Sequence, residues 1–188
     1  MKGFQKQVYQ NIEAQQETFG DFSQPGIMTS IIVYPKNETL DYDKLDDHIG
    51  DKGLEHVVDK VNKKYKYQSG FEDFFKCQNL NKYSSKICEI INNIKSMKNQ
   101  DGIVFIYSKY IGSGVIPMAL ALEEIGYNKY EGPLLESKNK ESEIGKYIII
   151  SGNKDLSKNT YENYIKMEND NKTGSKIKII IGSESAAE

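Results

Sequence analysis

Three runs of apolar, mostly β-branched residues decide what this chain can become. They are Ile103-Val104-Phe105-Ile106-Tyr107, Tyr147-Ile148-Ile149-Ile150 and Ile177-Lys178-Ile179-Ile180-Ile181. A strand that is apolar without alternation suits a parallel sheet covered on both faces. The first run is therefore expected to be a central strand. Ser113 to Ile125 reads as a helix, because Val115, Met118, Ala119 and Leu122 share a face and Gly126 is placed as its C-cap. A second helix is expected over 158–169, with a thin stripe of Tyr161, Tyr164 and Ile165. Strands alternating with helices imply crossover connections, hence an α/β fold built on a parallel sheet.

Upstream of these runs the pattern is less regular and mainly helical. Phe4, Val8 and Ile12 recur at helical spacing over residues 4 to 17. Gly20 and Pro25-Gly26 break that helix, and Ile27 to Tyr34 reads as a strand or extended segment closed by Pro35. Residues 36–80 are acidic and lysine-rich, with a short helix suggested by Val57, Val58 and Val61. Ser84 or Ser85 then caps a helix whose apolar stripe is Ile87, Ile90, Ile91 and Ile94, and Asn99 to Gly102 is a turn.

The 188 residues suffice for one domain and a small extra lobe. A hydrophobic fraction of 38% with 28% charged residues suits a globular chain. The net charge of -2 gives no electrostatic case for nucleic acid or an anionic membrane. All 25 basic residues are lysine, and arginine and tryptophan are absent, as AT-rich coding would favour. Cys77 and Cys88 have no histidine near them, so they read as reduced thiols of an intracellular protein, with Cys88 packed on a helix. No apolar run approaches the roughly 18 residues of a membrane span, and the amino terminus lacks a signal-peptide core.

Several chemistries can be weighed residue by residue. Gly112-Ser113-Gly114 follows a strand and opens a helix, the context of a dinucleotide fingerprint, but Pro117 stands where the third glycine belongs. The simpler reading is a helix start whose amides point outward and could meet a phosphate. Gly145-Lys146 is followed by Tyr147, and Gly174-Ser175-Lys176 lacks the upstream glycine, so neither makes a phosphate-binding loop. His48 and His56, among Asp46, Asp47, Glu55 and Asp59, read as a solvated acidic loop before they read as a metal site. Ser113, Ser151 and Ser183 have no histidine partner evident in the sequence. Tyr107 and Tyr110 near a strand end could stack on bases, although most of the thirteen tyrosines are expected to be packing residues.

Gly102-Ile103-Val104-Phe105-Ile106-Tyr107-Ser108, Ser113-Gly114-Val115-Ile116-Pro117 and Ala119-Leu120-Ala121-Leu122-Glu123 together resemble motif IV of superfamily 2 helicases. The likeness is to helicases of large nucleocytoplasmic DNA viruses, of the Swi/Snf and poxvirus early-transcription-factor types. Tyr147 to Gly152 resembles the next strand of the same lobe, and Ile177 to Glu188 resembles motif V. Tyr83 to Ile87 is similar to the helix introducing that lobe. Val33-Tyr34-Pro35 and Gly50 to Leu54 are similar to the insert between lobes.

The resemblance implies a partial RecA-like sheet over 81–188, cut within motif V, preceded by an inter-lobe, insert-like segment over 1–80. It implies single-stranded nucleic acid as partner, contacted by Tyr107, Ser108, Ser151, Gly152, Gly182, Ser183 and Glu184 through hydroxyls and main-chain amides. It further implies a viral setting, in host cytoplasm or virion, and a first lobe or a transcription protein as partner. ATP and magnesium are implied for the intact family enzyme, and no cofactor for this chain alone. The family's phosphate-binding loop and motif VI arginines are missing from this sequence. A lysine cannot supply the planar fork of an arginine aimed at a transferring phosphoryl group, worth ~10³–10⁵ in rate. The chain alone is thus expected neither to hydrolyse ATP nor to unwind. A non-catalytic protein-interaction module and, less favoured, a small Rossmann-type nucleotide-binding protein are the competing readings.

Overall fold

The computed structural model describes residues 1, 3–15, 24–36, 42–97, 99–138, 144–157, 162, 164–165 and 170–184. The architecture is α/β, and its centre is a four-stranded, wholly parallel sheet. The strands are β3 (Val104–Tyr107), β4 (Tyr127–Lys129), β5 (Gly145–Ile150) and β6 (Ile179–Gly182), in the order β3-β6-β5-β4. The three apolar runs therefore do form adjacent parallel strands.

Their order differs from expectation. β3 ends the sheet instead of lying at its centre, and β6 and β5 are the inner strands. The pleat explains the consequence. Val104 and Ile106 align with Ile179, Ile181, Tyr147 and Ile149 and join the main core, whereas Phe105 and Tyr107 face the other way and are 59% and 52% exposed. On that second face Ile148, Ile177 and Ile180 form a smaller cluster, with Tyr164 packed against it. Of the helix expected over 158–169, most positions lie outside the described residues, as does Gly20.

Helix α5 (Ser85–Ser96) forms as its stripe predicts: Ile87, Ile91 and Ile94 are buried, and the Ser84 hydroxyl accepts the Ile87 N–H at 3.1 Å. The helix after β3 begins as a π-turn, Ile111–Val115, and continues as α6 (Ile116–Glu124). Pro117 sits in its first turn, where a missing N–H costs nothing. Gly126 follows the helix end at φ 98°, as a C-terminal glycine should.

Helix α1 (Gly3–Gln15) seats Val8 and Ile12 on Val33 and Leu45. The segment read as a strand or extended run from Ile27 is instead helix α2 (Gln24–Ile31), and Ile32 to Pro35 has no regular secondary structure. Pro25 pre-sets the first turn, and the Thr29 hydroxyl donates to the Pro25 carbonyl four residues back at 2.7 Å. The segment is thus helical despite its β-branched composition. A 3₁₀ segment, Tyr42–His48, leads to the short α3 (Gly50–Leu54).

The helix suggested by Val57, Val58 and Val61 is also corrected. β1 (Val58–Val61) pairs antiparallel with β2 (Lys64–Tyr67) across Asn62 and Lys63, both at positive φ. Two left-handed residues make the tight turn that fits the twist of a hairpin. The short α4 (Cys77–Leu80) packs on α5. One core cluster joins Ile32 and Tyr34, the hairpin's Val58 and Tyr65, Phe74 and Phe75, helices α5 and α6, and the sheet.

Candidate nucleic-acid interface

Parallel strands in register end together. Tyr107 is paired with Gly182, and Gly182 with Ile150, so β3, β6 and β5 finish along one line. The next residue in each case is a serine: Ser108, Ser183 and Ser151. The carboxyl edge of an open α/β sheet is where such folds place ligand contacts. All seven residues named from the sequence, Tyr107, Ser108, Ser151, Gly152, Gly182, Ser183 and Glu184, therefore lie at the ends of three neighbouring strands.

Their polar atoms are unequally available. The Ser108 N–H donates to the Gly182 carbonyl at 3.0 Å, and the Ser183 N–H to the Ile150 carbonyl at 2.9 Å. These amides extend the sheet by one residue and are not turned to solvent, and Ser183 is only 3% exposed. The Ser108 hydroxyl closes a tight turn, accepting the Tyr110 N–H and donating to the Tyr110 carbonyl, both at 3.3 Å. The Ser151 hydroxyl accepts the Asn153 N–H at 3.3 Å and lies 3.2 Å from the Ser157 hydroxyl. The groups that face outward are the Tyr107 ring, Gly152, Glu184 and Lys109. Lys109 was not singled out by sequence; it forms an exposed ion pair with Glu184 at 3.8 Å. Such a pair is worth roughly 0–1 kcal/mol, so either partner can be drawn off by a ligand.

Beside this edge lies a cavity of about 270 Å³. Ile27 and Ile31 of α2, Ile87 and Ile90 of α5, and Met118 of α6 line it, with Lys86, Lys109, Tyr107 and Tyr110 around them. Its floor is apolar and its charges are cationic.

The Gly112-Ser113-Gly114 segment is not an open anion site. All three residues are buried. The Ser113 hydroxyl accepts the Gly50 N–H at 2.8 Å, and the Tyr34 hydroxyl donates to the Gly112 carbonyl at 2.6 Å. A Cβ on Gly112 would lie 2.6 Å from the Asp51 nitrogen and 2.7 Å from the Gly50 carbonyl carbon. Glycine is needed there so that α3 can sit on the turn, and the expected outward-pointing amides are covered. Gly174-Ser175-Lys176 is likewise structural: the buried Asn171 side chain accepts the Lys176 and Ile177 N–H groups at 2.8 Å and donates to the Ile177 carbonyl at 2.9 Å. It fixes the entry to β6.

His48 is buried, with Nδ1 2.8 Å from the Tyr34 carbonyl, and His56 is half-buried. Burial, and then the charge of Lys36, hold His56 below the usual histidine range. The Nε2 atoms of both are buried without a protein partner. Among the described residues no group of three or more His, Cys, Asp and Glu side chains could hold a metal ion. No described helix is long and apolar enough to cross a membrane.

Sequence reasoning missed Glu123. Its buried carboxylate accepts the Leu134 N–H, the Leu135 N–H and the Tyr147 hydroxyl, each at 2.7 Å. It ties α6 to β5 and to the chain that meets β2 at the Tyr65–Leu135 bridge. The available signal was a glutamate on a helix that is apolar all round from Ile116 to Leu122, which marks burial on every side.

No family model matches the chain. Over 130 residues, 69% of its length, it is 27% identical to a protein of Invertebrate iridescent virus 3 named "Putative helicase 087L". The matched segment is 12% of that viral protein. The similarity supports a helicase-related chain, with a viral relative.

Proposed function

We propose that residues 81–188 are the C-terminal RecA-like lobe of a superfamily 2 helicase, with residues 1–80 an insert-like segment, and that the lobe grips one nucleic-acid strand by its backbone. The observation that carries this reading is the alignment of β3, β6 and β5, which puts Tyr107, Ser108, Ser151 and Glu184 on one edge. The similarity to a viral protein with a helicase name supports it.

The roles follow from what is exposed. The Tyr107 ring is a platform for a base, and Lys109, released from Glu184, pairs with a phosphate. Gly152 positions the backbone, in a turn held by the Ser151 hydroxyl through Asn153 and Ser157. Gly182 and Ser183 act indirectly, by holding the edge in register. With no arginine and no phosphate-binding loop in its sequence, the chain alone turns over no ATP.

Fluorescence anisotropy with a labelled single-stranded oligonucleotide tests this. The native chain should bind at low salt. Tyr107→Ala should weaken binding by about 1–3 kcal/mol, the worth of a stacked base. Lys109→Gln should lower the salt slope by roughly 0.7, one phosphate contact on a single strand. Absence of binding at low salt, or no change in either variant, contradicts the proposal. The exposed Phe105 and Tyr107 on the open face of β3 favour a second reading, a protein-interaction module. That reading predicts a co-purifying protein partner and indifference to nucleic acid.

A further inference from the structure

Cys77 opens α4, and Cys88 lies one helix away on the buried side of α5. Both are free thiols. Their contacts are crossed: Cys88 Sγ donates to the Cys77 carbonyl at 3.5 Å, and Cys77 Sγ to the Cys88 carbonyl at 3.9 Å. Each thiol thus lies against the other residue's main chain, which brings the two side chains next to each other. A hollow of about 480 Å³ opens at the pair, bordered by Asn81, Ser85, Glu89 and Asn92. Cys77 is partly exposed to it, whereas Cys88 is 4% exposed and belongs to the main core.

From this geometry we infer that Cys77 and Cys88 form a reversible thiol–disulfide site, with Cys77 the attacking and Cys88 the resolving sulfur, and a small-molecule disulfide as oxidant. The neighbouring Cys88 thiol, against the effect of burial and helped by Lys95, lowers Cys77 to about 7. The same contact, with burial, pushes Cys88 up, so it keeps its proton while Cys77 reacts. Thiolate character selects which sulfur attacks.

The exchange balances in two steps. The Cys77 thiolate attacks one sulfur of the oxidant, forming a mixed disulfide and expelling a thiolate. Cys88 gives its proton to that thiolate, and its sulfur attacks Cys77, forming the Cys77–Cys88 bond and expelling the second oxidant sulfur as thiol after it takes up a proton. Two protein thiols are oxidised and one disulfide is reduced to two thiols. The product ties α4 to the helix that supplies Lys86, Ile87 and Ile90 to the cavity beside the strand ends.

The test incubates the folded full chain with oxidised glutathione and follows it by intact mass and thiol titration. The expected product is a monomer lighter by two hydrogens, with both thiols gone, formed faster in the folded chain than in urea and reversed by reduced glutathione. Cys88→Ser should stop at a glutathione adduct on Cys77, and Cys77→Ser should react much more slowly. Retention of both thiols, a stable adduct on the native chain, a disulfide between two chains, or faster closure in urea would overturn the assignment. The native chain alone decides these outcomes if a variant fails to fold.

Discussion

Replacing Glu123 by alanine should be among the most destabilising single changes available in this chain. The substitution leaves three donors without an acceptor: the Leu134 and Leu135 N–H groups and the Tyr147 hydroxyl. Tyr147 and Leu135 are fully buried and Leu134 nearly so. Each stranded donor costs about 1–3 kcal/mol, and the costs are not additive because all three donors share one carboxylate. We take about 3–5 kcal/mol for the sum, a large part of the roughly 5–15 kcal/mol that holds a domain together. Tyr147→Phe removes a donor along with its bond and should cost only about 0.5–1.5 kcal/mol. Urea unfolding followed by far-ultraviolet circular dichroism reads both, and a Glu123→Ala cost below about 1 kcal/mol would refute the hydrogen-bond accounting. The pH dependence supplies a second check. Burial pushes the Glu123 carboxyl above its usual range, against the pull of its donors and Lys138. A folded-state pKa above the unfolded one gives a contribution that is full below the unfolded pKa and lost as pH rises through the folded one. The advantage of the native chain over Glu123→Gln should therefore shrink as pH rises through the carboxylate range. An advantage that grows would mean the three donors outweigh burial.

Three other perturbations follow. Gly112→Ala forces a Cβ against the α3 backbone and should cost about 1–3 kcal/mol, read as a lowered urea midpoint; an unchanged midpoint would mean that α3 does not rest on the turn. Asn171→Ala strands the buried Ile177 N–H and carbonyl and should cost about 2–4 kcal/mol, with hydrogen exchange rising first in β6; uniform exchange across the sheet would contradict a local role. His56, held low by burial, contributes stability that is full above its unfolded pKa of about 6.5 and is lost as pH falls through the folded value. His56→Gln should flatten the thermal midpoint over that window, and an unaltered acid slope would assign the loss to other groups.

The sheet was legible because Ile103–Tyr107, Tyr147–Ile150 and Ile177–Ile181 are continuous apolar runs. Their order was not, because an apolar run reports potential burial and not position. Phe105 and Tyr107 are as apolar as their neighbours, yet they face outward from a terminal strand. β4 is only three residues long, too short for any periodicity. Helix α2 hid behind Ile27, Ile31 and Ile32, whose branching suggested a strand, while Pro25 pre-sets a helical first turn. The β1–β2 turn uses Asn62-Lys63, without the glycine that usually marks such a hairpin.

At the candidate edge, the seven residues were named through the helicase resemblance, and the strand register puts them at the ends of three neighbouring strands. The fate of the amides could not, since only the register shows the Ser108 and Ser183 N–H groups donating within the sheet. Lys109 and Glu123 escaped notice for opposite reasons. One is an ordinary surface lysine until the edge is assembled, and the other looks like a solvated helix end until its three donors are seen.

The most direct test of the account is photocrosslinking of a single-stranded oligonucleotide to the native chain at low salt, with the adducts located by peptide mass. Adducts should concentrate in the segments that follow β3, β5 and β6, on peptides containing Tyr107 to Tyr110, Ser151-Gly152 and Ser183-Glu184, and should fade as salt rises. Adducts spread over the surface, or confined to the β1–β2 hairpin and α1, would contradict an interface at the carboxyl edge of the sheet.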